Sequence, residues 1–91
     1  MTEQKLWSID VSETAKKQLS KLDKPVQLHI QKLINRLEKM ENPKTKGKPL
    51  QGNLREFWRF RVGDYRIIAN IFEDRLIIQI VQVGHRKEIY H

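Results

Sequence analysis

Between Lys5 and Val11 the chain alternates: Trp7, Ile9 and Val11 fall on one side, Leu6, Ser8 and Asp10 on the other. That period of two predicts a first strand, half buried. The period then changes. Ser12 is placed to cap a helix, its hydroxyl accepting from an otherwise orphan backbone N–H. Ala15, Leu19 and Leu22 follow at helical spacing. Asp23-Lys24-Pro25 ends this helix and opens a second, because proline is tolerated in a helix's first turn. Val26, Ile30, Leu33, Leu37 and Met40 step by four and three residues, an amphipathic stripe. Asn42-Pro43 stops it.

The alternation returns in Trp58-Arg59-Phe60-Arg61-Val62-Gly63-Asp64-Tyr65-Arg66-Ile67-Ile68. This stretch predicts two strands joined by a two-residue primed turn at Gly63-Asp64, where glycine tolerates positive φ. Such a turn sets Val62 opposite Tyr65, Arg61 opposite Arg66, Phe60 opposite Ile67 and Arg59 opposite Ile68. One face then collects Trp58, Phe60, Val62, Tyr65, Ile67, Ala69 and Ile71 as core. The other collects Phe57, Arg59, Arg61, Arg66, Ile68 and Asn70. Glu73-Asp74 forms the next turn, Leu76, Ile78 and Ile80 rejoin the core, and Val81 to Gly84 close a last strand. His85 to His91 is a short tail with room for one helical turn.

These elements predict an α+β domain of βααβββ order, spanning residues 1–91 as one unit. A helix hairpin is laid on one face of a four-stranded antiparallel sheet. A pair of helices reverses the chain twice, so the strand after them is expected to return antiparallel to the first strand. If the last two strands pair through Glu73-Asp74, Val81 falls opposite Arg66. The chain then leaves the sheet near Gly63-Asp64, which carries Arg86 and Tyr90 over the Arg61–Arg66 end.

The arginine face is where chemistry is expected. Like charges directly opposite one another destabilise a strand pair, so Arg61 facing Arg66 is a poor choice for stability alone. Solvated arginines whose stems cover apolar neighbours are the bland alternative. Three guanidiniums on one small face fit an anion site better, since the planar fork matches phosphate oxygens. Arg59, Arg61, Arg66, Arg86, His85 and Tyr90 converge there.

Composition narrows the class of partner. The 91 residues carry a formal charge of +7 with no cysteine, so disulfides and cysteine-based metal sites are excluded. Residues 44–91 hold ten Lys/Arg against five Asp/Glu, a net of +5, and residues 1–43 only +2. A basic balance of this kind points to an anionic partner. Lys44, Lys46, Lys48 and Arg55 precede the arginine strand. Such a run is by default a solvated loop, and phosphate steering is the functional alternative. His29, on the polar side of the second helix, reads as a surface residue. His85 fits a structural role as well as a catalytic one. No membrane-spanning run or signal-peptide core is present, and a cytoplasmic location is expected.

Three motifs carry a resemblance: Leu50-x-Gly52, Trp58-Arg59-x-Arg61-x-Gly63-x-Tyr65-Arg66, and Val83-Gly84-His85-Arg86-x-Glu88-Ile89-Tyr90. Together they resemble the RelE family of type II toxin–antitoxin toxins, within the RelE/ParE superfamily. The resemblance implies a ribosome-dependent messenger-RNA endonuclease that cuts A-site codons and so inhibits translation. The RNA's own 2′-hydroxyl attacks the adjacent phosphate, leaving a 2′,3′-cyclic phosphate, with no metal or other cofactor. It implies that Arg66 stabilises charge on the phosphate, Arg86 serves the leaving oxygen and Tyr90 stacks on the nucleotide. Arg59, with Lys44, Lys46, Lys48 and Arg55, would hold the RNA backbone.

The sequence departs from the family in one respect. Arg59 and Arg61 occupy strand positions that often hold lysine, and a lysine among cations can act as a general base where arginine cannot. The base is therefore open between Arg61 and His85, and if the arginines act only electrostatically His85 is the candidate. The implied partners are a cognate antitoxin, the ribosome and its message, and operator DNA only through the antitoxin complex; no membrane is implied. Two rival functions stand beside this one: a ParE-like toxin that poisons DNA gyrase, and a non-catalytic RNA- or ribosome-binding module.

Overall fold

The computed structural model describes residues 6–52 and 56–87. The start of the expected first strand at Lys5, Arg55 of the basic loop, and the tail from Glu88 with Tyr90 lie outside the described residues. The elements are β1 (Ser8–Val11), α1 (Glu13–Ser20), α2 (Lys24–Lys39), β2 (Lys48–Pro49), β3 (Phe57–Val62), β4 (Tyr65–Phe72) and β5 (Ile77–His85). A short 3-10 turn, Pro43–Lys46, separates α2 from β2.

The helices start where the sequence places them. Ser12 Oγ accepts from the Ala15 N–H at 3.1 Å and caps α1. Asp23 occupies the N-cap of α2, with Pro25 in its first turn. The core holds Ile30, Leu33, Ile34 and Leu37 of α2, Ala15 of α1, Trp7, and Phe60, Ile67, Ala69, Ile78, Ile80 and Val83 of the sheet. Trp58, Val62 and Ile71 pack against it half buried. The period-two and helical stripes therefore converge on one core, as expected.

The sheet itself differs from the expectation. It has five strands in the order β1-β5-β4-β3-β2. β1 pairs with β5 in parallel, and the other pairs are antiparallel. The cause is β2, two residues inside the basic loop that pair with Trp58 and Arg59. This extra strand adds one reversal, so β3 runs parallel to β1 instead of antiparallel. β2 also takes the edge beside β3, leaving β1 the opposite edge next to β5. Lys48 and Pro49, both exposed, are residue types that blunt a sheet edge against further pairing.

A second correction concerns register. The β4–β5 loop spans Glu73 to Leu76, and Phe72 faces Ile77. The register then shifts between Ile68 and Ala69: Ala69 faces Ile80 while Ile68 faces Gln82. Val81 is thus the extra residue of a bulge. The longer loop and the bulge together set Gly84, not Val81, opposite Arg66. The bulge is held from α1's end of the molecule. Ser12 Oγ donates to the Val81 carbonyl at 3.3 Å, and the Val83 N–H donates to Gln18 Oε1 at 2.7 Å.

The loop before β3 is also more than a solvated run. Leu50 is buried against Ile68 on the arginine side of the sheet, with Phe57 and Val81 packed around them. That small second core covers the half of the face away from the Gly63 turn.

Candidate functional site

Alternation along β3 and β4 brings Arg59, Arg61 and Arg66 to one face, with Arg61 directly opposite Arg66. The turn between them is the expected one: Gly63 has φ +57° and Asp64 does not share the left-handed region, the pattern of a type II′ hairpin. Gly84 on β5 flanks Arg66 from the other side. A glycine there adds no side chain to the face, so of the two residues directly across from Arg66 only Arg61 adds bulk.

Arg66 is half buried, and its Nε–H is inaccessible to solvent and without an acceptor among the described residues. A buried donor left unsatisfied is costly, and natural proteins rarely tolerate it without a reason. Arg61 is exposed and makes no ion pair among the described residues. The face therefore presents two opposed guanidiniums, one of them with a buried donor that has no partner among the described residues.

Arg86 is held next to this pair by its backbone. Its N–H donates to the Asp64 carbonyl in the hairpin turn at 2.8 Å, while its side chain is exposed. Of the convergence expected from sequence, the placement of the Arg86 backbone beside the Arg61–Arg66 end is kept after the register correction. The three extra residues of offset are absorbed because β5 continues to His85, opposite Tyr65.

His85 is placed differently. It pairs with Tyr65, so both belong to the face that carries the helices, opposite to Arg66. Its ring meets Tyr65 edge-on, centroids 5.5 Å apart and planes at 78°. Its Nδ1 accepts from the Lys87 N–H at 3.2 Å. Of the two candidates for the base, only Arg61 shares the face of Arg66.

The basic loop divides. Lys44 forms an ion pair with Glu73 at 3.1 Å and sits over the Trp58 ring, 5.3 Å from its centroid. It is occupied by structure. Lys46 and Lys48 instead join Arg59 and Arg61 around a cleft of about 170 Å³ floored by Gly47. Gly47 is a residue the sequence reading passed over. A Cβ built there would lie 2.7 Å from the Arg59 carbonyl oxygen and 2.8 Å from Phe60 Cε1. Its absence lets the loop press onto β3 and sets the two lysines beside the two arginines. The signal was a lone glycine between lysines, which is indistinguishable in sequence from an ordinary flexible loop.

The comparisons agree with this architecture. Residues 9–90 match the family model described as the ParE toxin of the type II toxin–antitoxin system, parDE. No curated protein matches the sequence. The toxin–antitoxin complex RelBE2 from Mycobacterium tuberculosis is similar at 26% identity and TM-score 0.80, covering 89% of this chain and 99% of that one. The RelB–RelE antitoxin–toxin complex from Methanococcus jannaschii is 26% identical with a TM-score of 0.72, over 89% and 94% of the two chains. The isolated E. coli RelE toxin, at 17% identity, shares the fold with a TM-score of 0.72 over 87% of this chain and 83% of that one. With residues 9–90 accounted for in this way, the chain belongs to the ParE toxin family of type II toxin–antitoxin systems, within the RelE/ParE superfamily.

Proposed function

We propose that this toxin is a ribosome-dependent endonuclease of messenger RNA. The observation that carries the reading is the buried, unpartnered Nε–H of Arg66, set across from Arg61 and beside the tethered Arg86. A phosphodiester supplies the acceptor that Arg66 lacks.

In the proposed reaction the 2′-oxygen attacks the adjacent phosphorus. The O2′–P bond forms, the P–O5′ bond breaks, and the products are a 2′,3′-cyclic phosphate and a 5′-hydroxyl. The proton leaves O2′ and one is delivered to O5′. Arg66 and Arg61 stabilise the charge that gathers on the non-bridging oxygens, the kind of preorganised stabilisation that often dominates catalysis. Arg86 serves the departing 5′-oxygen. Tyr90, beyond the described residues, stacks on the nucleotide, and Arg59, Lys46, Lys48 and Arg55 hold the backbone. His85 can act as base only by turning from the Tyr65 side to the arginine side. Without a ready acid–base pair, the toxin relies on the ribosome to hold the message in line for attack.

The partner expected to restrain it is a cognate antitoxin, because the RelE-type neighbours are toxin–antitoxin complexes. An antitoxin segment covering the arginine face would supply the missing acceptor and silence the site. Operator DNA is expected to be reached only through that complex. The family model's description as a ParE toxin favours one other reading, poisoning of DNA gyrase.

Expressing the chain alone and mapping ends on ribosome-bound messages decides between them. The endonuclease reading expects cuts within codons, bearing 5′-hydroxyl and cyclic-phosphate ends. Intact messages with gyrase-linked DNA breaks would establish the rival. Ribosome binding without cuts would leave only a binding module.

A further inference from the structure

A second cationic cleft lies on the other side of the open β3 edge. β2 covers β3 only at Trp58 and Arg59, so Phe60 to Val62 face α2 with no strand between them. The cleft there measures about 380 Å³ and is lined by His29, Lys32 and Arg36 of α2 together with Lys46 and Arg61. None of its lining residues is acidic.

The arrangement breaks a local rule. Like charges at i and i+4 on a helix destabilise it, and Lys32 and Arg36 stand in that relation. Neither has an ion pair or side-chain hydrogen bond among the described residues, nor do Lys46 and Arg61. His29, Lys32 and Arg36 share one helical stripe, spaced three and four apart. In sequence this stripe reads as an ordinary solvated helix face. Folding places it opposite the loop and strand that border the arginine face. Lys46 and Arg61 line both clefts, so the cations run without interruption from Lys48 and Arg59, over the sheet edge, to α2.

We infer that this cleft is a second binding site for the sugar–phosphate backbone of single-stranded RNA, extending the strand held at the arginine face past the sheet edge onto α2. The identity of the ligand rests on the endonuclease reading; the site itself rests on the geometry. An acidic protein segment fits less well. Amphipathic peptides anchor by burying apolar side chains in exposed apolar pockets. The exposed large hydrophobic residues among the described residues, Leu6 and Leu28, lie outside this cleft, and of its apolar lining Leu33 and Phe60 are buried in the core and Val62 is half buried against it.

The test uses the full chain and a fluorescein-labelled RNA of mixed sequence with 2′-O-methyl riboses. Blocking the 2′-oxygen prevents cutting, so binding is read without catalysis. Affinity is measured by anisotropy across a salt series for the parent, the Lys32→Ala/Arg36→Ala variant and the charge-preserving Lys32→Arg/Arg36→Lys variant. Each phosphate contact on a single strand contributes about 0.7 to the slope of log K against log salt. The alanine variant should therefore lose about 1.4 from the slope and bind more weakly at low salt, while the charge-preserving variant keeps the parent slope. Lys46→Ala, on a different element, should lose about 0.7 by the same rule. An unchanged slope in the alanine variants overturns the inference. So does a polyglutamate peptide that binds the parent as tightly as the RNA and loses its affinity in the same variants, since that assigns the cleft to an acidic protein. Failure of the parent to cut messages on ribosomes would refute the endonuclease reading and leave these slopes as they are.

Discussion

The backbone N–H of Arg86 donates to the carbonyl of Asp64 at 2.8 Å and ties the end of β5 to the β3–β4 turn. The bond uses only main-chain atoms, and the exposed Arg86 side chain makes no ion pair or hydrogen bond among the described residues. Arg86→Ala should keep the tie and the fold, with stability within about 0.5 kcal/mol of the parent. It should lower cleavage on ribosomes about 10²–10³-fold, the range for losing one preorganised donor. Thermal melts beside a cleavage assay check both. A variant that still cuts at the parent rate would remove Arg86 from the mechanism.

Arg61 opposite Arg66 makes a different prediction, because here the two requirements conflict. The repulsion between directly opposed charges is about 0.2–1 kcal/mol. Arg61→Thr should relieve it, leaving the protein as stable or slightly more so at low salt, while cutting is lost. Asp64 and Glu56 form no ion pair with Arg61 among the described residues, so no offsetting salt bridge disappears. A denaturation midpoint that falls would show the arginine to be structural. Retained cleavage would show it to be outside the site.

That pair was legible from sequence because a two-residue turn fixes a register and alternation fixes a face. The pattern around Gly63-Asp64 left no freedom in either. The core stripes of α2 were legible for the same reason. What escaped were features whose signal is not periodic. β2 is two residues long, too short to alternate, yet it decides by parity which way β1 runs. The Val81 bulge is invisible because Val81-Gln82-Val83 reads as ordinary alternation. It shifts which side chains share a face, and so moves His85 away from Arg66. Lys44, Lys46 and Lys48 look equivalent in sequence. Only the fold sets Glu73 and Trp58 beside the first and Arg59 and Arg61 beside the other two.

Gly47 tests the fit of that loop. Its backbone lies outside the left-handed region, at φ −120°, so an alanine is not strained by conformation. It is excluded by space, since the new Cβ would meet the Arg59 carbonyl, part of a strand that cannot move independently. Gly47→Ala should therefore cost about 1–3 kcal/mol, as overpacking does elsewhere. It should also weaken RNA binding by lifting Lys46 and Lys48 from Arg59 and Arg61. Chemical denaturation and RNA anisotropy on the same sample check it. Parent-like stability would mean the loop has room to shift and does not fix the lysines.

Gln18 carries the last prediction, and it reaches the site from the far side of the sheet. β1 covers β5 only as far as Ile80. Beyond the bulge, the outward N–H of Val83 has no strand to pair with, and Gln18 Oε1 accepts it at 2.7 Å. This bond fastens the outer edge of the stretch Val83 to His85, whose inner edge pairs with Tyr65, Arg66 and Ile67 and which leads directly into Arg86. Replacing Gln18 with Leu keeps the apolar stem but leaves a buried donor unpaired, at a cost of about 1–3 kcal/mol. Gln18→Glu retains an acceptor at the same reach and should recover most of that loss. The local consequence separates this from a general loss of stability. In Gln18→Leu the Val83 amide should exchange hydrogen faster than the amides of β3, and cleavage should fall more than RNA binding because the strand leading into Arg86 is held less firmly, with the Asp64 tie left to do more of the work. Uniformly faster exchange across the whole sheet, with cleavage and binding reduced together, would mean that Gln18 only supports the core. Unchanged Val83 protection would mean that the bulge holds itself.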